Sequence, residues 1–393
     1  MNEKVLVLNG SFCEIPIIQE AKKLGYYVIT TGNMPELVGH KYADEYIKAD
    51  YSDKEQILKL VKEKNINQIL SCANDFGVLT AAYVAEKMGW SGHDPYKTAE
   101  LLHHKDKFKK YTYEHQIPSP HSVAFTNQTE AKKYVQNTEY PIIVKAADLT
   151  GGKGICKAEN FEEALKAIEN AFERSRDKHI VIEPYITGTQ HTLVTFLCNK
   201  KIVSSASCNC YSLINPYLIQ AETFPADDSD EMKKILFPII EDMAIDLNLA
   251  DGIIALQYIK KNGTPYIIET MRRPFGNQFL VLVELVSGYP WHKAQILAET
   301  GNDCSNLESG SPKKQFCGHF GIMSSQNGRL RDYYIPDKIQ NHVFNKIDML
   351  KPGGTIKDYL NERISYIYYE YDNKEDMNSD VKQYNEWIQI DME

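Results

Sequence analysis

Several features are missing from this chain of 393 residues, and each absence removes a class of protein. No run of Lys and Arg stands out and the formal net charge is -9, so no basic face is expected and nucleic acid is not an expected partner. No apolar stretch approaches the roughly 20 residues of a membrane span. The run Val5-Leu-Val-Leu8 near the start is too short, and too uncharged before it, for a signal peptide, so a cytoplasmic protein that does not meet a membrane is expected. Cys-x-x-Cys is absent among the cysteines at 13, 72, 156, 198, 208, 210, 304 and 317, which read as reduced thiols. Only Cys208 and Cys210 are close together. Two apart on a strand, they share a face, which core packing explains, with a zinc site completed by a distant histidine as the alternative. Gly-x-Gly-x-x-Gly is missing, and so is the phosphate loop Gly-x-x-x-x-Gly-Lys-Ser/Thr.

What is present is an ordinary globular composition, 43% hydrophobic and 25% charged, over a length that suits two or three domains. The first hundred residues alternate strand and helix: Val5–Leu8, a helix from 15 to 24, a strand from 26 to 30, helix 53–64, strand 68–72 and helix 78–88. That order predicts a doubly wound parallel sheet. Its ligand crevice belongs at the carboxyl ends of the strands, which marks Asn9-Gly10-Ser11 and Ala73-Asn74-Asp75. Asn74 and Asp75 are either substrate contacts or caps of the helix that follows. Ile117-Pro-Ser-Pro120 is a stiff linker.

The stretch from Pro141 to Ala158 reads as strand, glycine turn, strand. Ile142, Ile143 and Val144 form the β-branched run, Lys145 ends it with a charge that needs a partner, and Gly151, Gly152 and Gly154 let the turn approach a ligand closely, with Lys153 as a mobile cation. The turn is either a flap over phosphate or a hairpin with solvated lysines. Further on, Glu183 stops a strand before Pro184-Tyr185-Ile186-Thr-Gly188. Gln257 and Glu269 fall on two strands joined by Lys261-Asn-Gly263, a hairpin signal. Arg272-Arg273-Pro274 then places two guanidiniums beside that carboxylate, as part of a site or as a surface ion-pair cluster.

Taken in order, Lys105, Lys145, Thr150-Gly-Gly-Lys-Gly154, Glu183-Pro-Tyr-Ile186 with Gly188, and Glu269-x-x-x-Arg273 resemble the ATP-grasp superfamily, in particular carboxylate:amine ligases that look like a single unit of carbamoyl phosphate synthetase. The resemblance covers about residues 1 to 300, and more loosely the remainder. It implies an α/β and α+β architecture: a pre-ATP-grasp domain at 1–93, an ATP-grasp domain at 94–314 with a lid at about 121–180, and a C-terminal lobe at 315–393. It also implies ATP and Mg2+ as cofactors. Lys105, Lys145, Thr150, Gly151, Gly152, Lys153 and Gly154 would meet phosphates, Glu183, Pro184, Tyr185 and Ile186 the adenine edge, and Gln190 the ribose. Glu269 and Gln257 would hold the metal. Arg273 and Lys153 would act on the transferring group, and Arg272, Asn74 and Asp75 on substrate.

Three positions depart from the family pattern: Gln190 and Gln257 stand where glutamate and a metal carboxylate are usual, and Met271 where many members have asparagine, although a thioether is a poor magnesium ligand. Purine-pathway carboxylases also lack that asparagine and follow it with Arg-Pro. The expectation is an ATP-dependent ligase that activates a small carboxylate as an acylphosphate and joins it to an amine, releasing ADP and phosphate, with a homodimer left open. The alternatives are a purine-pathway-like carboxylase or formyl-transferring enzyme, and a nucleotide-binding module without catalysis.

Overall fold

A computed structural model describes residues 2–149 and 154–393. Thr150, Gly151, Gly152 and Lys153, expected over the phosphates, lie outside the described residues. At the N-terminal end four parallel strands lie in the order Glu45–Lys48, Tyr27–Gly32, Lys4–Leu8, Gln68–Leu70. Val5, Leu6, Val7 and Leu8 are all sealed from solvent, as befits a strand covered by helices on both faces. The Glu45–Lys48 strand escapes a sequence reading because it is short and charged at both ends. Asp53 and Asn74 cap the Lys54–Lys64 and Asp75–Met88 helices by accepting from free backbone N–H groups.

An eight-stranded sheet forms the centre, in the order Thr264–Met271, Gly252–Lys261, Thr189–Cys198, Lys201–Tyr211, Ala221–Phe224, Phe316–Ile322, Ser365–Tyr371, Val343–Asp348. The boundary expected at 314/315 falls inside this one sheet, because Ala221–Phe224 and Phe316–Ile322 are hydrogen-bonded neighbours. The Ser229–Asp246 helix buries Met232, Leu236, Ile240 and Met243 against one side of it, and the Phe279–Ser287 and Trp291–Glu299 helices cover the other. The C-terminal part adds a small sheet of Thr355–Ile356, Gly328–Tyr334 and Gln389–Met392.

Above the central sheet sits a four-stranded antiparallel sheet, Val123–Phe125, Ile180–Pro184, Ile142–Ala146, Ile155–Ala158. The Phe161–Arg174 helix lays Ala164, Ala167, Ile168, Ala171 and Phe172 onto Ile142, Val144, Ile180 and Ile182. Burying a side chain such as Ile168 or Phe172 contributes about 1.5–3 kcal/mol, enough to hold this small unit together. The last strand of this layer runs to Pro184, past the expected lid end at 180, so it carries Glu183 into the space between the two sheets. Among the described residues no helix is long and apolar enough to cross a membrane, and all eight cysteines are free.

Candidate active site

Between the small sheet and the central sheet lies a cleft of about 450 Å3. From the small sheet it is lined by Lys145, Ile155, Glu183 and Pro184, from the connecting segment by Tyr185, Ile186 and Gly188, and from the central sheet by Gln190, Gln257, Glu269 and Met271. Lys105 and Arg273 also reach it. The structure thus gathers residues more than 160 positions apart.

Lys145 has its partner: it is ion-paired with Glu183, both buried. The register explains this, since Glu183 stands opposite Ile143 on the neighbouring strand, two residues from Lys145 and on the same face. Glu183 also accepts from Ser122 Oγ at 2.5 Å and faces Lys109 Nζ at 3.7 Å. Burial works against its ionised form, but Lys109 and Lys145 together with the Lys145 and Ser122 hydrogen bonds hold the carboxyl down at about 2. Burial lowers Lys109 to about 8, and the Lys145 charge adds to this against the pull of Glu183. Sequence reasoning missed Lys109. The signal was its spacing, four residues after Lys105 on the Lys105–Glu114 helix, which puts both cations on one helical face.

Lys105 donates to the Leu149 carbonyl and stands 4.0 Å from Glu269 Oε1. Gln257 and Glu269 face each other in register, and a bulge interrupts the ladder just after Gln257. Such bulges re-aim side chains beside sites. A carboxylate near a cleft lysine, with an amide in register beside it, is a set that suits a hard cation held mainly by one carboxylate and by a ligand's own phosphate oxygens.

Arg273 extends along the cleft wall with Nε 2.5 Å from Asp75 Oδ1, and His103 Nδ1 lies 3.1 Å from the same oxygen. Burial opposes ionisation of Asp75, yet Arg273 and His103 hold its carboxyl far below the usual range. Three expected substrate contacts behave differently. Arg272 points away from the cleft: Nε and Nη2 grip Asp94 at 2.8 and 2.9 Å, and Nη1 and Nη2 donate to the carbonyls of Ile253 and Ala250, each at 2.7 Å. Four of its five N–H donors are used in this way, so it serves the fold and not a substrate. Asn74 caps its helix by accepting from Phe76 N at 2.9 Å, and Asp75 is the counter-ion of Arg273. Of that loop, Ala73 lines the cleft.

The cleft continues past Arg273 to Gly276, Asn277, Glu222, Arg363 and Tyr366. Glu222 is buried, with His319 Nε2 at 2.5 Å and Asn277 Nδ2 at 3.1 Å from its Oε2. Cys208 and Cys210 lie behind it, their sulfurs 3.9 Å apart and within 3.6 and 3.8 Å of its other oxygen. Glu222, His319, Arg363 and Tyr366 carried no motif. They come together only because C-terminal strands join the central sheet.

The family model for the phosphoribosylglycinamide synthetase ATP-grasp (A) domain matches residues 104–215. The carbamoyl phosphate synthase large chain of Clostridium acetobutylicum is 22% identical over 325 residues, 77% of this chain and 29% of that protein. Phosphoribosylamine–glycine ligase of Haemophilus influenzae is 25% identical over 260 residues, 61% of this chain and 60% of that one. The chain therefore spans less than two thirds of the length of these curated relatives. Among solved structures, L-amino acid ligase from Bacillus licheniformis superimposes with a TM-score of 0.82 at 15% identity, covering 100% of this chain and 99% of that one. Phosphoribosylglycinamide synthetase from Anaerococcus prevotii does so with 0.75 at 19%, over 100% of both. Residues 104–215 thus match an ATP-grasp domain, and the fold of the chain is similar to the folds of these two enzymes along its whole length.

Proposed function

We propose that the chain is an ATP-dependent ligase that joins a small-molecule carboxylate to an amine. The observation that carries this reading is the line of groups along one cleft: Lys145 and Lys105, then the facing pair Gln257 and Glu269, then Arg273. Lysines at one end suit phosphate oxygens, and oxygen donors in the middle suit magnesium. A guanidinium beyond them suits the oxygens that carry charge as a phosphoryl group moves. When bound, Mg-ATP supplies the phosphoryl group that turns a carboxylate into an acylphosphate.

The chain's own part is positioning and charge. Lys145, fixed on a strand by Glu183, meets an anion without paying to reorganise. Lys105, 4.0 Å from Glu269 Oε1, shares the load of phosphate oxygens. Arg273 is held by Asp75 through Nε and by the Pro274 carbonyl through Nη1, so its guanidinium is fixed before substrate arrives. Burial between the two sheets excludes water from an intermediate that hydrolyses readily. The Pro184–Gly188 segment supplies backbone groups for a base edge, and Gln190 an amide for a ribose.

Heavy-oxygen labelling tests the reaction. A carboxylate substrate labelled on its oxygens should transfer one label to inorganic phosphate for each amide formed, since one carboxylate oxygen becomes the bridge to phosphorus. Unlabelled phosphate alongside amide excludes this route.

A further inference from the structure

The far end of the cleft holds charges that nucleotide and metal do not use. Arg363 lines it with no carboxylate within 4.0 Å among the described residues. Its Nη1 and Nη2 each donate once, to the carbonyls of Asn361 and Ile219 at 3.1 Å, and its Nε is buried without an acceptor. A guanidinium offers five N–H donors in a planar fork, so three remain. Arg273 differs, because Asp75 already balances it. A half-buried cation with neither counter-ion nor full hydrogen bonding is costly, and a carboxylate is the ligand that fits its fork.

Glu222 is the complementary charge. It is buried in the same part of the cleft, where the His319 ring lies against it. The ring of Tyr366 lies 5.6 Å from Arg363 Cζ and 5.8 Å from the His319 ring, so the cation and the histidine that holds Glu222 share one aromatic neighbour. Yet Arg363 and Glu222 do not pair with each other. A cation and an acid held apart in one pocket match a ligand that carries both signs.

We infer that Arg363 and Glu222, the latter steadied by the Asn277 amide, form a subsite for a zwitterionic amine, an amino acid whose carboxylate lies on Arg363 and whose ammonium lies on Glu222. On the ligase reading this ligand is the amine acceptor, and the inference rests on that reading for this assignment alone. The C-terminal strands then set which amine is used, while the lysines, Gln257 and Glu269 serve activation.

Binding can be read without turnover. With ADP and Mg2+ present, calorimetric titration of the whole chain with the common L-amino acids should find at least one that binds. The matching amine without a carboxylate, and the matching amino acid amide, should bind more weakly by about tenfold or more. Arg363→Gln should lower that affinity by a similar factor with ADP affinity unchanged, and Arg363→Lys, which keeps the charge, should recover part of it. Glu222→Gln should weaken amino acid binding as well. Amino acid binding that depends on Arg363, without ATP consumption by any acid tried, supports the subsite and removes the ligase reading. ATP-driven amide formation that accepts plain amines and amino acid amides as well as amino acids, indifferent to Arg363→Gln, overturns the subsite and leaves the ligase reading in place. Binding of no amino acid by a folded chain that binds ADP also overturns it.

Discussion

Glu183 is shared by two lysines: it is ion-paired with Lys145 and faces Lys109 at 3.7 Å, and all three side chains are nearly sealed from solvent. A buried acid between two cations is the electrostatic hinge of the cleft, because both cations need it.

The first prediction follows from its titration. The folded value, about 2, lies below the ordinary 4.5, so the folded chain resists protonation longer than the unfolded chain. The stabilisation is fully present above pH 4.5 and is lost as pH falls toward 2, on the order of 3 kcal/mol in all. Glu183→Gln should lose about 3–5 kcal/mol at neutral pH by stranding two buried ammoniums, and its stability should depend less on pH below 4.5 than the parent's. Denaturant titrations at a series of pH values check this. A Glu183→Gln variant within about 1 kcal/mol of the parent would mean that the cluster is not desolvated as described.

The second concerns Arg272. Bidentate to Asp94 and bonded to two carbonyls, it ties the 250–253 turn to the start of the Tyr96–His103 helix. Arg272→Ala should cost about 3–5 kcal/mol, and Arg272→Lys should recover little, since a point charge cannot span an acid and two carbonyls. Thermal unfolding of both reads the result, and a Lys variant as stable as the parent would contradict this role.

The third concerns the facing pair on the central sheet. Glu269→Gln should abolish turnover with the fold retained, because it removes the one carboxylate of the pair. Gln257→Glu should lower the magnesium concentration for half-maximal activity, because it adds a second carboxylate in register with the first. If magnesium titrations leave the half-saturation point of both variants where the parent has it, neither side chain faces the ion.

The architecture was legible where local signals are strong. Val5–Leu8, Ile142–Val144 and the hairpin through Lys261-Asn-Gly263 declare themselves by β-branched runs and turn chemistry, and of the ordered motifs Lys105, Lys145, Glu183–Ile186, Gly188, Glu269 and Arg273 line one cleft, while Arg272, Asn74 and Asp75 do not. Arg272 and Arg273 were indistinguishable in sequence because adjacent strand-end residues point in opposite directions, and only the fold tells which one meets Asp94 and which Asp75. Glu222, His319 and Arg363 had no local signal. Their meeting depends on strand order in the central sheet, where Phe316–Ile322 pairs with Ala221–Phe224 across nearly a hundred residues.

The last prediction sets two glycines against each other. At Gly188 a Cβ would stand 2.2 Å from the Lys260 carbonyl oxygen and 2.8 Å from Ile259 Cγ2, and the oxygen belongs to backbone that cannot swing aside. At Gly263 a Cβ meets open space, but φ is +78°, where a side chain is strained. Gly263→Ala should therefore cost about 1–2 kcal/mol of stability and nothing in nucleotide affinity, since it sits in a hairpin turn away from the cleft. Gly188→Ala must push the start of the Thr189–Cys198 strand off Lys260, its register partner being Thr189, and so displace Tyr185, Ile186 and Gln190 along the cleft wall. Overpacking of this kind costs about 1–3 kcal/mol, and here it should also raise the dissociation constant for ADP. Fluorescence or calorimetric ADP titrations of both variants, beside their unfolding curves, separate the effects: equal ADP affinity in the two would show that the 184–190 segment does not bear on the nucleotide.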